Sequence, residues 1–163
     1  MKHFCFSLLA SLIIIVLYAC NNATSELEKY SNSIKEQKLD TVIVETYPDG
    51  QIKSAIYYLE NDNERTQKIA EEHFYSDGVK QAEGTFKNGE RYGRWVFYHE
   101  NGRVWSTGHF ENGLSQGIFD IYKPDGTIYI KSYYTDGKKT KEEYYKNGKV
   151  DQTVDLRDSK KAK

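Results

Sequence analysis

The chain has 163 residues, a formal net charge of −1, two cysteines and a hydrophobic content of only 38%. That size fits one domain. The near-neutral balance gives no basic excess of the kind that nucleic-acid binding requires, and the low aliphatic content argues against a compact sandwich.

The first twenty residues, "MKHFCFSLLASLIIIVLYAC", pair a short basic start (Lys2, His3) with an apolar run from Phe4 to Tyr18. The run is short for a bilayer span of ~20 residues and has the form of a secretory signal. "LYAC" (17–20) resembles a bacterial lipobox, which implies cleavage after residue 19 and a lipid on Cys20. Cys5 would leave with the signal, so the mature chain would hold no disulfide despite an oxidising compartment. Two or more acyl chains, at ~0.8 kcal/mol per buried methylene, anchor a protein firmly. Residues 20–40 are expected to be the lipidated cysteine and a polar tether. Within it, Leu27, Tyr30 and Ile34 have the spacing of a short helix.

From residue 41 the sequence becomes periodic. Asn-Gly or Asp-Gly pairs place glycines at 50, 78, 89, 102, 113, 126, 137 and 148, and from Gly78 the steps alternate largely between 11 and 13. A fixed 24-residue unit marks a repeat architecture. Such pairs are favoured in tight hairpins, where central positions need positive φ. An 11-residue step leaves about seven residues of strand, roughly 23 Å at ~3.3 Å per residue. The segments between turns are rich in Tyr, Phe, Val, Ile and Thr, which favour strands. The expectation is an all-β fold: one single-layer antiparallel meander over 41–154, with a basic disordered tail at 155–163. "ENDNERTQK" (60–68) falls where a turn is missing and is expected to be a longer loop.

A single sheet has no opposing layer, so aromatics are expected to supply much of its packing. Trp95, Phe97, Phe119 and Ile121 are the expected interior positions. Superposing the repeats separates two faces. Ala82, Ser106 and Ile130 fall with Phe86, Phe110 and Tyr134, beside the small residues Gly84, Gly108 and Ser132. Strict alternation places Trp105, His109, Tyr129, Lys131 and Tyr133 on the other face. Its character changes from copy to copy, and Trp and Tyr concentrate binding energy. These five are the candidate binding patch.

Charge is graded along the chain. Residues 41–90 carry ten acids and five bases, whereas 131–163 carry ten bases and six acids. In a linear array the two ends would therefore differ in sign.

Chemistry-bearing motifs are lacking. No zinc spacing, HExxH, GxSxG or phosphate-binding glycine loop occurs. His73, His99 and His109 are scattered, and no cofactor, metal or catalytic residue is expected.

"NGERYGRW" (88–95), "NGLSQGIF" (112–119) and "FYHENGRVWSTGHFENG" (97–113) resemble the variant MORN repeat of bacteria. Its pattern runs aromatic, Asn-Gly, three or four residues, Gly, one residue, aromatic. Gly93 and Gly117 fall on the second glycine, but the third copy has Lys141 there and Glu143 in place of the aromatic. The resemblance implies a β-hairpin array without catalysis that offers a protein-interaction or scaffolding surface. Some members of that family are antitoxin components, which leaves an antitoxin or immunity role open. Aromatics on an exposed sheet leave glycan binding open as well.

Overall fold

The computed structural model describes residue 30, residues 32–34 and residues 36–157. The signal segment, Cys20 and residues 158–163 of the tail lie outside the described residues. Contacts divide the chain at Gln37/Lys38 into two units. In the first, Tyr30 and residues 32–34 are helical, as the Leu27–Tyr30–Ile34 spacing predicts for the described part. No helix among the described residues is long and apolar enough to cross a membrane.

The second unit is one open ten-stranded sheet: β1 (Leu39–Thr46), β2 (Ile52–Leu59), β3 (Lys68–Phe74), β4 (Lys80–Lys87), β5 (Glu90–Tyr98), β6 (Val104–Glu111), β7 (Leu114–Tyr122), β8 (Ile128–Thr135), β9 (Lys138–Lys146) and β10 (Lys149–Asp155). Strand order in the sheet is sequence order, and every pair is antiparallel. The meander expected from the turn spacing is therefore the observed fold.

Two turn types alternate. At one end of the strands, Asn88-Gly89, Asn112-Gly113, Asp136-Gly137 and, at the opposite end, Asn147-Gly148 have positive φ at both residues, the geometry of a two-residue hairpin turn. The longer turns at 47–51, 75–79, 99–103 and 123–127 share one end of the sheet. In each, an Asx side chain (Asp49, Asp77, Asn101, Asp125) accepts the backbone N–H two residues on, at 2.8–3.0 Å. The residue opening each of the first three of these turns also reaches the next hairpin. The Tyr47 hydroxyl donates to the Phe74 carbonyl (2.9 Å), Tyr75 to that of Tyr98 (2.8 Å), and the His99 ring N–H to that of Tyr122 (3.0 Å). These aromatics thus staple successive turns. The loop at 60–67 gathers on Asp62, which accepts from the Gln67 N–H at 2.9 Å.

The core is a row of rings on one face. Phe86, Trp95, Phe110, Phe119 and Tyr134 follow one another with centroids 5.4, 5.9, 5.4 and 4.9 Å apart. Trp95 is fully buried, and Phe97 and Phe119 pack partly buried against the cluster. Ile121 is half-buried. Ala82, Phe86, Ser106, Phe110 and Ser132 are buried as the repeat superposition predicts. With no second sheet above, cations cover the rings: Lys68 Nζ lies 3.9 Å from the Phe86 centroid and the Arg91 guanidinium 4.2 Å from Trp95. Such contacts combine a cation–ring attraction with burial of the side-chain stem.

The second glycine of the first two repeats creates this row. Gly93 and Gly117 adopt φ of 79° and 72°. They open bulges in which three residues, 93–95 or 117–119, stand opposite the single Gly84 or Gly108. The bulge throws Trp95 and Phe119 onto those glycines. In the third copy, with Lys141 and Glu143, the pairing is more regular: Ser132 faces Glu142 directly and only Thr140 is extra.

Candidate interaction surface

The structure divides the five candidate residues between the two faces. Between β5 and β6, Phe97 pairs with Ser106 and Tyr98 with Val104, which leaves Trp105 as the extra residue of a bulge. Between β7 and β8, Ile121 pairs with Ile130 and Tyr122 with Ile128, which leaves Tyr129 in the same position. A bulge breaks the two-residue alternation and re-aims the side chain. The Trp105 ring accordingly sits 6.2 Å from Phe97 and 6.5 Å from His99. Tyr129 lies edge-on to Tyr144 at 6.4 Å, with Lys123 Nζ 5.5 Å from its centroid. Both rings therefore join the aromatic face rather than the face expected from alternation.

His109, Lys131 and Tyr133 do occupy the other, polar face. The His109 Nε2 is buried without a hydrogen-bond partner, and burial pulls its pKa down against the weaker pull of Glu111. Lys131 Nζ lies 3.7 Å from Asp120, whose charge raises the lysine pKa. Tyr133 donates to Glu143 at 2.8 Å and carries Lys141 Nζ 3.7 Å from its ring centroid. Lys131 and Tyr133 are thus engaged within the sheet, and His109 is withdrawn by burial.

What remains available is a repeated element on the aromatic face. Trp105 is 46% exposed and Tyr129 43% exposed, 24 residues apart at the same bulge. Each has a basic residue from the preceding turn beside it, His99 or Lys123. Sequence reasoning missed those two partners. Their signal was the repeat itself, since residues 99 and 105 recur as 123 and 129.

The polar face between β2 and β5 is closed by a charge network. Lys80 Nζ bridges Glu72 (2.6 Å) and Glu83 (2.8 Å). Tyr57 donates to Glu72 at 2.5 Å and Tyr98 donates to Glu83. Burial and the bond to Glu72 push the Tyr57 pKa up to about 12, and burial with Glu83 does the same for Tyr98. Burial alone would lower Lys80, but its two carboxylate partners outweigh that and raise it. No group of His, Cys, Asp and Glu among the described residues could hold a metal ion.

An open antiparallel sheet made of 24-residue hairpin units, with rings exposed at repeated bulges, defines a β-hairpin repeat array. The chain carries the MORN repeat variant: the model of that repeat matches residues 69–88, 91–112 and 129–147. Among solved structures it is similar to the Glycosylation Associate Protein (Gap123) complex from Streptococcus agalactiae (18% identity, TM-score 0.42, covering 66% of this chain and 18% of that one). It is also similar to the complex of accessory secretory proteins 1, 2 and 3 of Streptococcus pneumoniae (16%, 0.41, 66% and 19%). The chain thus corresponds to about a fifth of each, and likeness at this level carries nothing about activity or partners. A comparison with curated proteins finds no match.

Proposed function

We propose that this chain is a lipid-anchored protein of the bacterial envelope whose hairpin array serves as a protein-interaction surface, worked from its aromatic face. The observation that carries the reading is the pair Trp105 and Tyr129, nearly half exposed at equivalent bulges. Large aromatics of this kind, each with a polar or basic edge, are what protein interfaces concentrate their binding energy on. They stand two strands apart, roughly 10 Å at ~4.8 Å per strand, close enough for one partner to cover both. The lipobox-like "LYAC" supports anchoring at Cys20, and the polar segment 21–40 supports a tether.

Two experiments test the two halves. Cys20→Ser should release the protein to the soluble fraction, and retention of the uncleaved variant on membranes contradicts the anchor. A benzophenone side chain placed at 105 should crosslink in intact membranes to a discrete protein species, whereas one at 133 should not. Equal yields from both positions contradict the assignment of the aromatic face.

A further inference from the structure

The repeats provide an internal comparison that isolates one site on the polar face. In the first copy, the space beside the turn at 75–79 is filled by Lys80, Glu83 and Tyr98, with the Tyr98 hydroxyl and the Lys80 ammonium both donating to the Glu83 carboxylate. Twenty-four residues on, the corresponding positions are Val104, Thr107 and Tyr122. The tyrosine is kept, but its acid and base are gone. Here the sheet has a shallow recess of about 570 Å³, lined by Arg94, Arg103, Val104, Thr107, Tyr122 and Asp125 among others.

The donors around this recess are unspent. Among the described residues the Tyr122 and Thr107 hydroxyls make no hydrogen bond, and Arg94 makes no hydrogen bond or ion pair. The acid that feels the Arg94 charge is Glu83, already held by Lys80 and Tyr98. Arg103 is fixed at the rim by its Nη1 donating to the Asp125 carbonyl at 2.6 Å. The Asp125 carboxylate is turned to its own loop, accepting from the Thr127 N–H and hydroxyl. Two guanidinium groups stand against the committed Asp125 carboxylate, and Asp120, directly across from Thr107, is balanced by Lys131, so the recess keeps an excess of positive charge. The third copy does not repeat it: Lys131 stands in place of Thr107 and is paired with Asp120.

We infer that this recess is a carboxylate-binding site, and that its occupant is an Asp or Glu side chain of a peptide segment, seated where the first repeat holds its own Glu83. Guanidinium groups are well matched to a carboxylate, and a hydroxyl beside them adds a third donor. A peptide acid fits better than an acidic sugar, because sugar recognition would draw on an open ring. On this face the Tyr133 ring is covered by Lys141 and Tyr122 is half-buried, while the open rings Trp105 and Tyr129 join the other face. The site is thus independent of the aromatic surface and adds a second point of attachment for an acidic partner.

The test measures fluorescence anisotropy of labelled hexaglutamate and hexaglutamine peptides with the full chain. Hexaglutamate should bind and hexaglutamine should not. Arg94→Gln should weaken binding roughly tenfold, as loss of one close charge pair does. Thr107→Glu restores the first repeat's internal acid and should abolish peptide binding while melting no lower than the parent. Trp105→Ser with Tyr129→Ser should leave peptide binding unchanged, which separates this site from the aromatic face. Equal binding of the two peptides, or full retention by Thr107→Glu, overturns the site. Tighter binding of an oligogalacturonate than of hexaglutamate overturns the peptide assignment.

Discussion

The indole of Trp95 occupies the space that a side chain at Gly84 would need: a Cβ built there would stand 2.1 Å from Cδ2 of the ring. One repeat later Phe119 covers Gly108 in the same way, at 2.0 Å from Cε1. The glycines are thus seats for aromatics, and the bulges at Gly93 and Gly117 bring the aromatics to them.

Gly84→Ala should therefore destabilise the array. Replacing glycine by alanine ordinarily stabilises by about 0.4–1 kcal/mol through the unfolded chain. Overpacking a core that cannot yield costs about 1–3 kcal/mol, and Trp95 is wholly buried between Phe86 and Phe110. The clash should win. A thermal melt lowered by several degrees is expected for Gly84→Ala and Gly108→Ala, and an unchanged midpoint would show that the rings can move aside.

Trp95→Ala removes the most deeply buried ring of the row and the seat of the Arg91 guanidinium. Burying a large aromatic contributes about 3–5 kcal/mol, against a total stability on the order of 5–15 kcal/mol. Much of the array should unfold, seen as lost amide dispersion in an NMR spectrum at 25 °C. A melt within a degree or two of the parent would mean that Trp95 is not a packing centre.

Alkali should loosen the sheet through Tyr57 and Tyr98. Folding raises both pKa values from the ordinary tyrosine value near 10 to about 12. A group raised on folding contributes stability below its unfolded pKa and loses it as pH climbs through the folded one. The melting temperature should fall between about pH 10 and 12, and less steeply in a Tyr57→Phe, Tyr98→Phe double variant. Equal slopes for the two proteins would show that neither hydroxyl is held by its carboxylate.

Protection against hydrogen exchange should be graded along the strands, as expected of a repeat array in which each unit meets only its neighbours. Residues 92–122, which include both glycine-driven bulges and the buried ring cluster, should exchange slowest. The loop at 60–67 and the third copy, where Lys141 and Glu143 replace the glycine and the aromatic, should exchange faster. Uniform protection from 41 to 154 would contradict the grading.

The meander was legible because Asn-Gly and Asp-Gly pairs have few other uses, and because the 24-residue period repeats each strand. The architectural face was legible for the same reason: Gly84, Gly108 and Ser132 align with one another and fall beside Phe86, Phe110 and Tyr134. The positions of Trp105 and Tyr129 were not. A bulge is a property of two strands in register, and neither strand's own pattern records it. Alternation counted along β6 or β8 alone therefore put these rings on the wrong face. The turn staples from Tyr47, Tyr75 and His99 were hidden similarly, since each partner is a backbone carbonyl more than twenty residues away.

The central claim is that the exposed rings of the aromatic face serve a partner and not the fold. Its most direct measurement is the melting temperature of Trp105→Ser, Tyr129→Ser set beside its yield with an amine-reactive chemical crosslinker in intact membranes, since the photoprobe itself occupies position 105. Both rings sit at the edge of the core, more than two-fifths exposed. A midpoint within a few degrees of the parent and a loss of the partner crosslink are expected. A collapsed fold, or a crosslink of undiminished yield from the folded variant, would contradict the claim.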